Sequence, residues 1–340
     1  MTDRMDRRQA LRVTAAAGLS LATGGLSVGA LIRSGRLRKV EGLRIRMGTP
    51  VSIAAIHPDA RGAREMVDSA FAEMERLEGI LSRHRSETPL SRLNRTGRLE
   101  KAPAELLHVL GWALEYAERS QGAFDPSVAP LLELHRESFA RTGGAPDATE
   151  VRRILARVDY RSVNVVGPSV RLLRPGMALT LDGIAKGYIV DRTREILESA
   201  GAEAVLVDGG GDLASHGTPR PGLPWEVGIR DPERRDGVLH VARLRNGGLA
   251  TSGDYVQSFT PDRRHHHIVD PRTGRSPEGL SSVSVVTGSA LHADALSTAT
   301  FTLGPEEGLR FLERTPGAEG LLVTKEGERL RTRGFPGDPV

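Results

Sequence analysis

Residues 251–298 read TSGDYVQSFTPDRRHHHIVDPRTGRSPEGLSSVSVVTGSALHADALST. Within them, Thr251-Ser-Gly-Asp254 has the composition of a tight turn, and His267-Ile-Val-Asp-Pro-Arg-Thr-Gly274 that of a polar loop. The β-like run Ser281 to Val286 then leads into a segment whose spacing predicts a helix over 291–302. In that helix Asp294 and Thr298 are four residues apart, so they share one face, one turn apart. Two hard oxygen donors so placed suit a magnesium-type cation. A histidine, a Gly/Ser turn and an oxygen pair within fifty residues point to chemistry on a phosphate compound. The plainer reading of 293–298, an amphipathic helix with a solvated Asp, is the better one when that segment is taken alone.

Outward from this stretch, the same mixture of strands and helices continues. Val51 to Ile56 reads as a strand. Apolar positions from Met66 to Leu81 recur at helical spacing over 63–81, and Leu106 to Ala117 mark a second helix. Thr142 to Thr149, rich in Gly and Pro, reads as a loop before a short helix ending near Arg157. Strands are expected at 162–166, 178–181, 204–207, 225–229, 238–244 and 321–324, and helices at 187–199 and 305–313. Because the two element types do not alternate strictly, the fold class is α+β, with layered mixed sheets and helices rather than a doubly wound parallel sheet.

Four other segments carry residues suited to chemistry. Leu181-Asp-Gly-Ile-Ala-Lys-Gly187 follows a strand-like run and opens a helix, so free N–H groups and Lys186 could face an anion. An ordinary strand-to-helix turn with a solvated Lys is an equally good reading. Asp208-Gly-Gly-Gly-Asp212 follows a buried-strand pattern and suits either a phosphate- or ribose-cradling loop or a plain turn. His265, His266 and His267 alternate faces if extended, so they cannot converge on one ion. One inward histidine should matter, and His267, next to Ile-Val-Asp-Pro, is the candidate for acid/base work. Phe124-Asp125-Pro126 reads as a turn with a buried Phe.

Composition narrows the class. The chain has 340 residues, 39% apolar and 26% charged, which marks a globular protein with room for one large domain or two smaller ones. The net charge of +4 draws on an Arg-rich first 46 residues, and aromatic content is 4% without aromatic–basic interleaving, so no nucleic-acid surface is expected. The absence of cysteine excludes disulfides, thiolate metal sites, a Cys nucleophile and a lipoprotein anchor. At the start, Arg7-Arg8 precedes an uncharged run from Val13 to Ile32, with Val28-Gly29-Ala30 as a small-residue cleavage site. This reads as a twin-arginine export signal over residues 1–36, placing the protein on the periplasmic or extracytoplasmic side. An uncleaved leader would instead keep the chain at the membrane.

What links these signals is their order: Met47-Gly-Thr49, then Leu81-Ser-Arg-His84 through Asn94, then Gly122 to Val128, Leu181 to Gly187 with Asp191, and Val207 to Asp212. Thr251 to Asp254, His267 to Gly274 and Ala293 to Thr298 complete the series. Over residues 45–325 the chain resembles the ApbE family, the FAD:protein FMN transferases.

The resemblance implies one T-fold-like flavin-transferase domain over 37–340, with FAD as substrate in a cleft between subdomains and Mg²⁺ as cofactor. FMN would pass through a phosphoester to a Thr or Ser of an acceptor protein, an exported or membrane electron-transfer subunit, with AMP released. Asp294, Thr298 and the main-chain carbonyl of Ala185 would be the magnesium ligands, and His267 would deprotonate or orient the acceptor hydroxyl. Met47, His84, Asp125, Asp182, Lys186, Gly210, Gly211, Asp212, Thr251, Ser252 and Gly253 would contact FAD. The chain departs from the family pattern at His84, where many relatives carry an aromatic residue, at Thr88-Pro89, where a Ser-acidic pair is usual, and at Asp208, where an amide or small residue is common. An FAD pyrophosphatase yielding FMN and AMP, or a non-catalytic FAD-binding protein, would present similar residues.

Overall fold

The computed structural model describes residues 37–234 and 236–340. The leader reading falls on residues outside these. The described chain opens with β1 (Arg38–Arg46) and β2 (Thr49–His57), joined by the two-residue turn Met47-Gly48. Both turn residues have positive φ, 51° and 73°, the conformation that matches the twist of a tight hairpin. The helices α1 (Ala60–Leu81) and α2 (Pro89–Thr96), β3 (Arg98–Leu99) and α3 (Ala104–Arg119) follow. Asp59 caps α1 by accepting the Arg61 and Gly62 N–H groups, and Thr88 caps α2 just ahead of Pro89. Then come α4 (Ala129–Thr142), α5 (Ala148–Leu155), β4 (Val163–Val166), β5 (Ser169–Leu172) and α6 (Ala185–Ser199). The second half runs through β6 (Ala204–Asp208), β7 (Asp212–His216), β8 (Trp225–Arg230), β9 (Val238–Leu244), β10 (Gly247–Gly253) and β11 (Leu280–Thr287). It finishes with α7 (Ala290–Leu303), α8 (Pro305–Glu313), β12 (Glu319–Thr324), β13 (Arg329–Arg331) and β14 (Asp338–Pro339).

The centre is an eight-stranded sheet in the order β1-β2-β6-β7-β10-β11-β12-β13, antiparallel at every pairing. Period-2 alternation sends neighbouring residues of a strand into different layers. Val205 and Val207 of β6 join the core beneath the helices, while Ala204 and Leu206 join a second core beneath β8 and β9. Both faces are covered, which is why β6 is apolar from Ala204 to Val207. The smaller sheets are β14-β9-β8 and β3-β5-β4. The α+β expectation holds, with three layers: helices, central sheet and small sheet.

Several local expectations need correction. Ala178–Leu181 is extended but joins no sheet: its polar backbone is met by Asn94, whose side chain accepts the Leu179 N–H at 2.7 Å and donates to the Leu179 carbonyl at 2.8 Å. Thr251-Ser252-Gly253 is the end of strand β10 rather than a turn. Arg38–Arg46, part of the Arg-rich first 46 residues and assigned no element from sequence, is an edge strand most of whose charged residues are exposed. The hidden strand β10 is made of small residues because α7 lies directly on it, and a Cβ on Gly248 would come within 2.2 Å of the Ala290 nitrogen. No described helix is long and apolar enough to cross a membrane.

Candidate functional site

Helix α7 is buried on nearly all sides: Leu291, Ala293, Asp294, Ala295, Leu296, Ser297 and Phe301 are all buried. A helix apolar around its whole circumference belongs in the interior. This overturns the reading of Asp294 as a solvated residue on an amphipathic helix, since Asp294 is only 4% exposed. Helix α6 crosses α7 so closely that a Cβ on Gly187 would lie 2.2 Å from the Ala290 carbonyl oxygen. The close crossing lets the Gly187 N–H donate to Asp294 Oδ2 at 3.1 Å. Ala185, the first residue of α6, and Lys186 stand at the same end of the helix.

Lys186 is the cation of the cluster. Its Nζ lies 2.5 Å from Asp212 Oδ2 as an ion pair without hydrogen-bond alignment, so that buried oxygen has no aligned donor. Burial opposes the charge on Lys186, but Asp212 first, then Asp294 and Asp208, hold its pKa well above the usual value. The carboxylates feel the converse. Burial, then repulsion from Asp212, raises Asp294 well above the ordinary Asp range despite Lys186 and the Gly187 N–H. Burial pushes Asp208 up to about 6, even though its Oδ1 accepts the Gly210 and Gly211 N–H groups at 2.8 and 3.4 Å. Three carboxylates therefore share one ammonium. The loop Gly209–Gly211 is a tight connection between β6 and β7, with Gly210 at φ 82° and Gly211 at φ 114°. The Gly210 and Gly211 N–H groups are spent on Asp208 and the Gly209 N–H on the Asp212 carbonyl, while the Gly211 carbonyl accepts the Thr251 N–H at 3.1 Å.

Hydroxyls line both faces of the end of β10. Ser252 Oγ, on the α7 face, is 3.2 Å from Thr298 Oγ1 and 2.9 Å from Ser297 Oγ, whereas Thr251 Oγ1, on the opposite face, is 2.7 Å from Ser284 Oγ. Gly183 runs against Thr298: a Cβ there would sit 3.0 Å from its Oγ1 and 3.2 Å from the Phe124 ring. Asp182 marks the outer side. Arg83 donates to its carboxylate at 2.7 Å, and His84 Nε2 lies at 3.3 Å. The wall around Asp182 is dense, although 43% of its side chain stays exposed. Burial alone would raise its pKa, but His84 and Arg83 outweigh this and keep it ionised, well below the usual range. Arg83 escaped the sequence reading, although it adjoins His84 in the same motif.

The histidines separate by role. His266 is fully buried, with Nε2 3.1 Å from the Pro277 carbonyl and its N–H donating to Ser276 Oγ. His267 is partly buried. Its Nδ1 lies 3.2 Å from the Gln257 carbonyl oxygen, so Nδ1 carries the proton and Nε2 keeps a lone pair. Burial lowers the His267 pKa, and among the charges it senses are Lys186 and Asp182, which ties it to the cluster.

Two residues from the ordered motifs have their polar atoms committed to the scaffold. Asp125 Oδ1 accepts the Ser127 N–H and hydroxyl at 2.7 and 2.6 Å, and Oδ2 accepts the Tyr160 N–H at 3.0 Å, so its carboxylate fastens a chain turn. Asp191 caps α7 from α6. Met47 donates its N–H to Glu78 Oε2 at 3.2 Å, and its methyl lies 3.7 Å from a Cβ built on Gly209, so the β1–β2 turn sits over the glycine loop. Cavities of about 360 and 480 Å³ open elsewhere, and no candidate residue lines either. Among the described residues no three His, Asp or Glu side chains form a ready-made metal cage.

The fold and this cluster define an α+β protein in which buried acids gather around a single lysine. The chain belongs to the ApbE family, whose model matches residues 47–322. It is 33% identical over 279 residues to the FAD:protein FMN transferase of Treponema pallidum (strain Nichols), covering 76% of each chain. It is 28% identical over 284 residues to that of Escherichia coli (strain K12), covering 81% of each. Among solved structures, the ApbE protein of Thermotoga maritima superposes with a TM-score of 0.79 at 30% identity, over 88% of this chain and all of that one. The flavin transferase ApbE of Vibrio cholerae gives 0.77 at 27% identity, over 88% and 98%.

Proposed function

We propose that this protein transfers FMN from FAD to a Thr or Ser hydroxyl of an acceptor protein, releasing AMP, with Mg²⁺ as cofactor. The observation that carries the reading is the under-neutralised acid of Asp294, Asp212 and Asp208 around a single Lys186, beside the Thr298 and Ser252 hydroxyls. Membership of a family whose relatives are named FAD:protein FMN transferases supports it.

The donor set fits a magnesium ion. Asp212 and Asp208 share one ammonium with Asp294, whose carboxyl is held toward its neutral form by burial, so a cation there would ionise it, and hard oxygens are what Mg²⁺ takes. Asp294, the Thr298 hydroxyl and the Ala185 carbonyl would hold the ion. When bound it neutralises pyrophosphate charge and polarises the P–O bond that breaks.

The protein's own groups do the rest. Lys186 and Arg83 offer positive charge to the phosphates, and Asp182 keeps Arg83 and His84 in place. Met47, Gly210, Gly211, Asp212, Thr251, Ser252 and Gly253 would border FAD. His267 accepts the acceptor hydroxyl's proton at Nε2; burial keeps the ring neutral and able to do so. The hydroxyl oxygen then bonds to the FMN phosphorus, the bond from that phosphorus to the bridging oxygen breaks, and AMP leaves with that oxygen. The twin-arginine reading puts this chemistry outside the cytoplasm, with an electron-transfer subunit as acceptor.

Incubating the mature protein with FAD, Mg²⁺ and a Thr-bearing acceptor domain, then weighing the acceptor by intact mass spectrometry, tests the reading. One FMN gained per acceptor, with AMP released and both abolished by EDTA, is the expected result. Free FMN and AMP with an unmodified acceptor would make the protein a pyrophosphatase.

A further inference from the structure

The 254–279 connection between β10 and β11 has no helix or sheet strand of its own, yet it carries His267. At its start Asp254 is fully buried, a costly place for a carboxylate unless it is paired. Lys325, just past β12, donates its Nζ to Asp254 Oδ2 and to the Arg263 carbonyl, the latter at 3.3 Å. The Lys325 N–H reaches the Gly279 carbonyl at 3.4 Å. Arg263, held at φ 56°, lies 3.4 Å from Asp254 Oδ1 and donates to the Pro232 carbonyl at 2.9 Å and to Glu233 at 2.6 Å. One lysine thus fastens the connection at its start, middle and end. The return of the chain closes through Phe259 N–H to the His265 carbonyl and His267 N–H to the Gln257 carbonyl.

We infer that Asp254, with Lys325 and Arg263, is a positioning residue that fixes the His267 loop for phosphoryl transfer. The inference rests on the transferase reading above. None of the three residues makes a described contact with the acid cluster, so their effect runs through the loop. Misplacing a reacting group by about 1 Å can cost about a hundredfold in rate.

Asp254→Asn keeps the shape and removes the buried charge, the milder change for folding, and Lys325→Met removes the partner. Each should speed amide hydrogen exchange at Phe259 and His267 while leaving the β10–β11 ladder protected. Each should also lower kcat for FMN transfer about tenfold or more with little change in KM for FAD. Lys325→Arg should restore most of both, and the double variant should be no worse than either single one. Unchanged exchange, or faster exchange with unchanged kcat, overturns the inference. If the wild type transfers no FMN, the transferase reading fails while the exchange comparison still decides whether this cluster holds the loop.

Discussion

Helix α7 holds one buried aspartate at its N-terminus and another a turn further on, and the fold treats them oppositely. Asp191, reaching over from α6, accepts the Ala290 N–H at 3.0 Å, the Leu291 N–H at 2.9 Å and the Ser289 hydroxyl at 2.7 Å. Its charge faces the free N–H groups of a helix start, where an anion is stabilised. Asp294 receives one N–H, from Gly187, and shares a lysine already paired with Asp212. The first aspartate is satisfied and structural. The second is left short of positive charge, and the proposed function puts the cation there.

Replacing each aspartate should separate the two roles. Asp294→Ala should cut transfer by about a thousandfold while leaving the fold intact or slightly stabilised, because the lost carboxylate is buried and poorly compensated. Initial rates and thermal melting read both effects, and substantial Mg²⁺-dependent turnover in this variant would remove Asp294 from the metal site. His267→Ala should slow transfer about a hundredfold without changing FAD affinity, as measured by single-turnover kinetics. Asp191→Ala should do the reverse of Asp294→Ala. Three donors left unpaired should cost about 2 kcal/mol in denaturant melts, with turnover per folded molecule nearly unchanged.

The smallest effect concerns Asp208. Burial holds its folded pKa at about 6, above the ordinary Asp value of about 3.9, so the folded state binds the extra proton between those limits. Stability should therefore fall as pH rises from about 4 to about 6 and stay lower above, by on the order of 2 kcal/mol. Asp208→Asn keeps an acceptor for the Gly210 and Gly211 N–H groups and should flatten this slope. Melting curves from pH 4 to 7 would show it, and parallel curves for the two proteins would mean Asp208 is not the titrating group.

The contrast also explains what could be read from the chain. Asp294 and Thr298 were found as an i, i+4 pair, and α6, α7, β6 and β11 as periodic apolar runs, because local spacing carries that information. The exposure of Asp294 could not be read the same way. Its burial follows from α6, β10 and β11 closing around a helix whose composition alone does not say which faces are covered. β10 escaped notice because Gly247-Gly-Leu-Ala-Thr-Ser-Gly253 lacks β-branched bulk, its small residues serving the close approach of α7. Arg38–Arg46 is not legible as a strand because its charged residues break the apolar alternation, as suits a solvent-facing edge. Asp125 and Asp191 look alike in sequence to Asp182 and Asp294. Only their hydrogen-bond partners tell scaffold from site.

The most direct test of the charge-shortfall account is the thermal stability of wild type and Asp294→Ala with and without Mg²⁺, at fixed FAD concentration. A ligand that binds the native state and not the unfolded one raises Tm, by an amount that grows with the logarithm of its concentration above Kd. The account predicts a Mg²⁺-dependent rise in Tm for the wild type that is absent in Asp294→Ala. An equal rise in both proteins would contradict it.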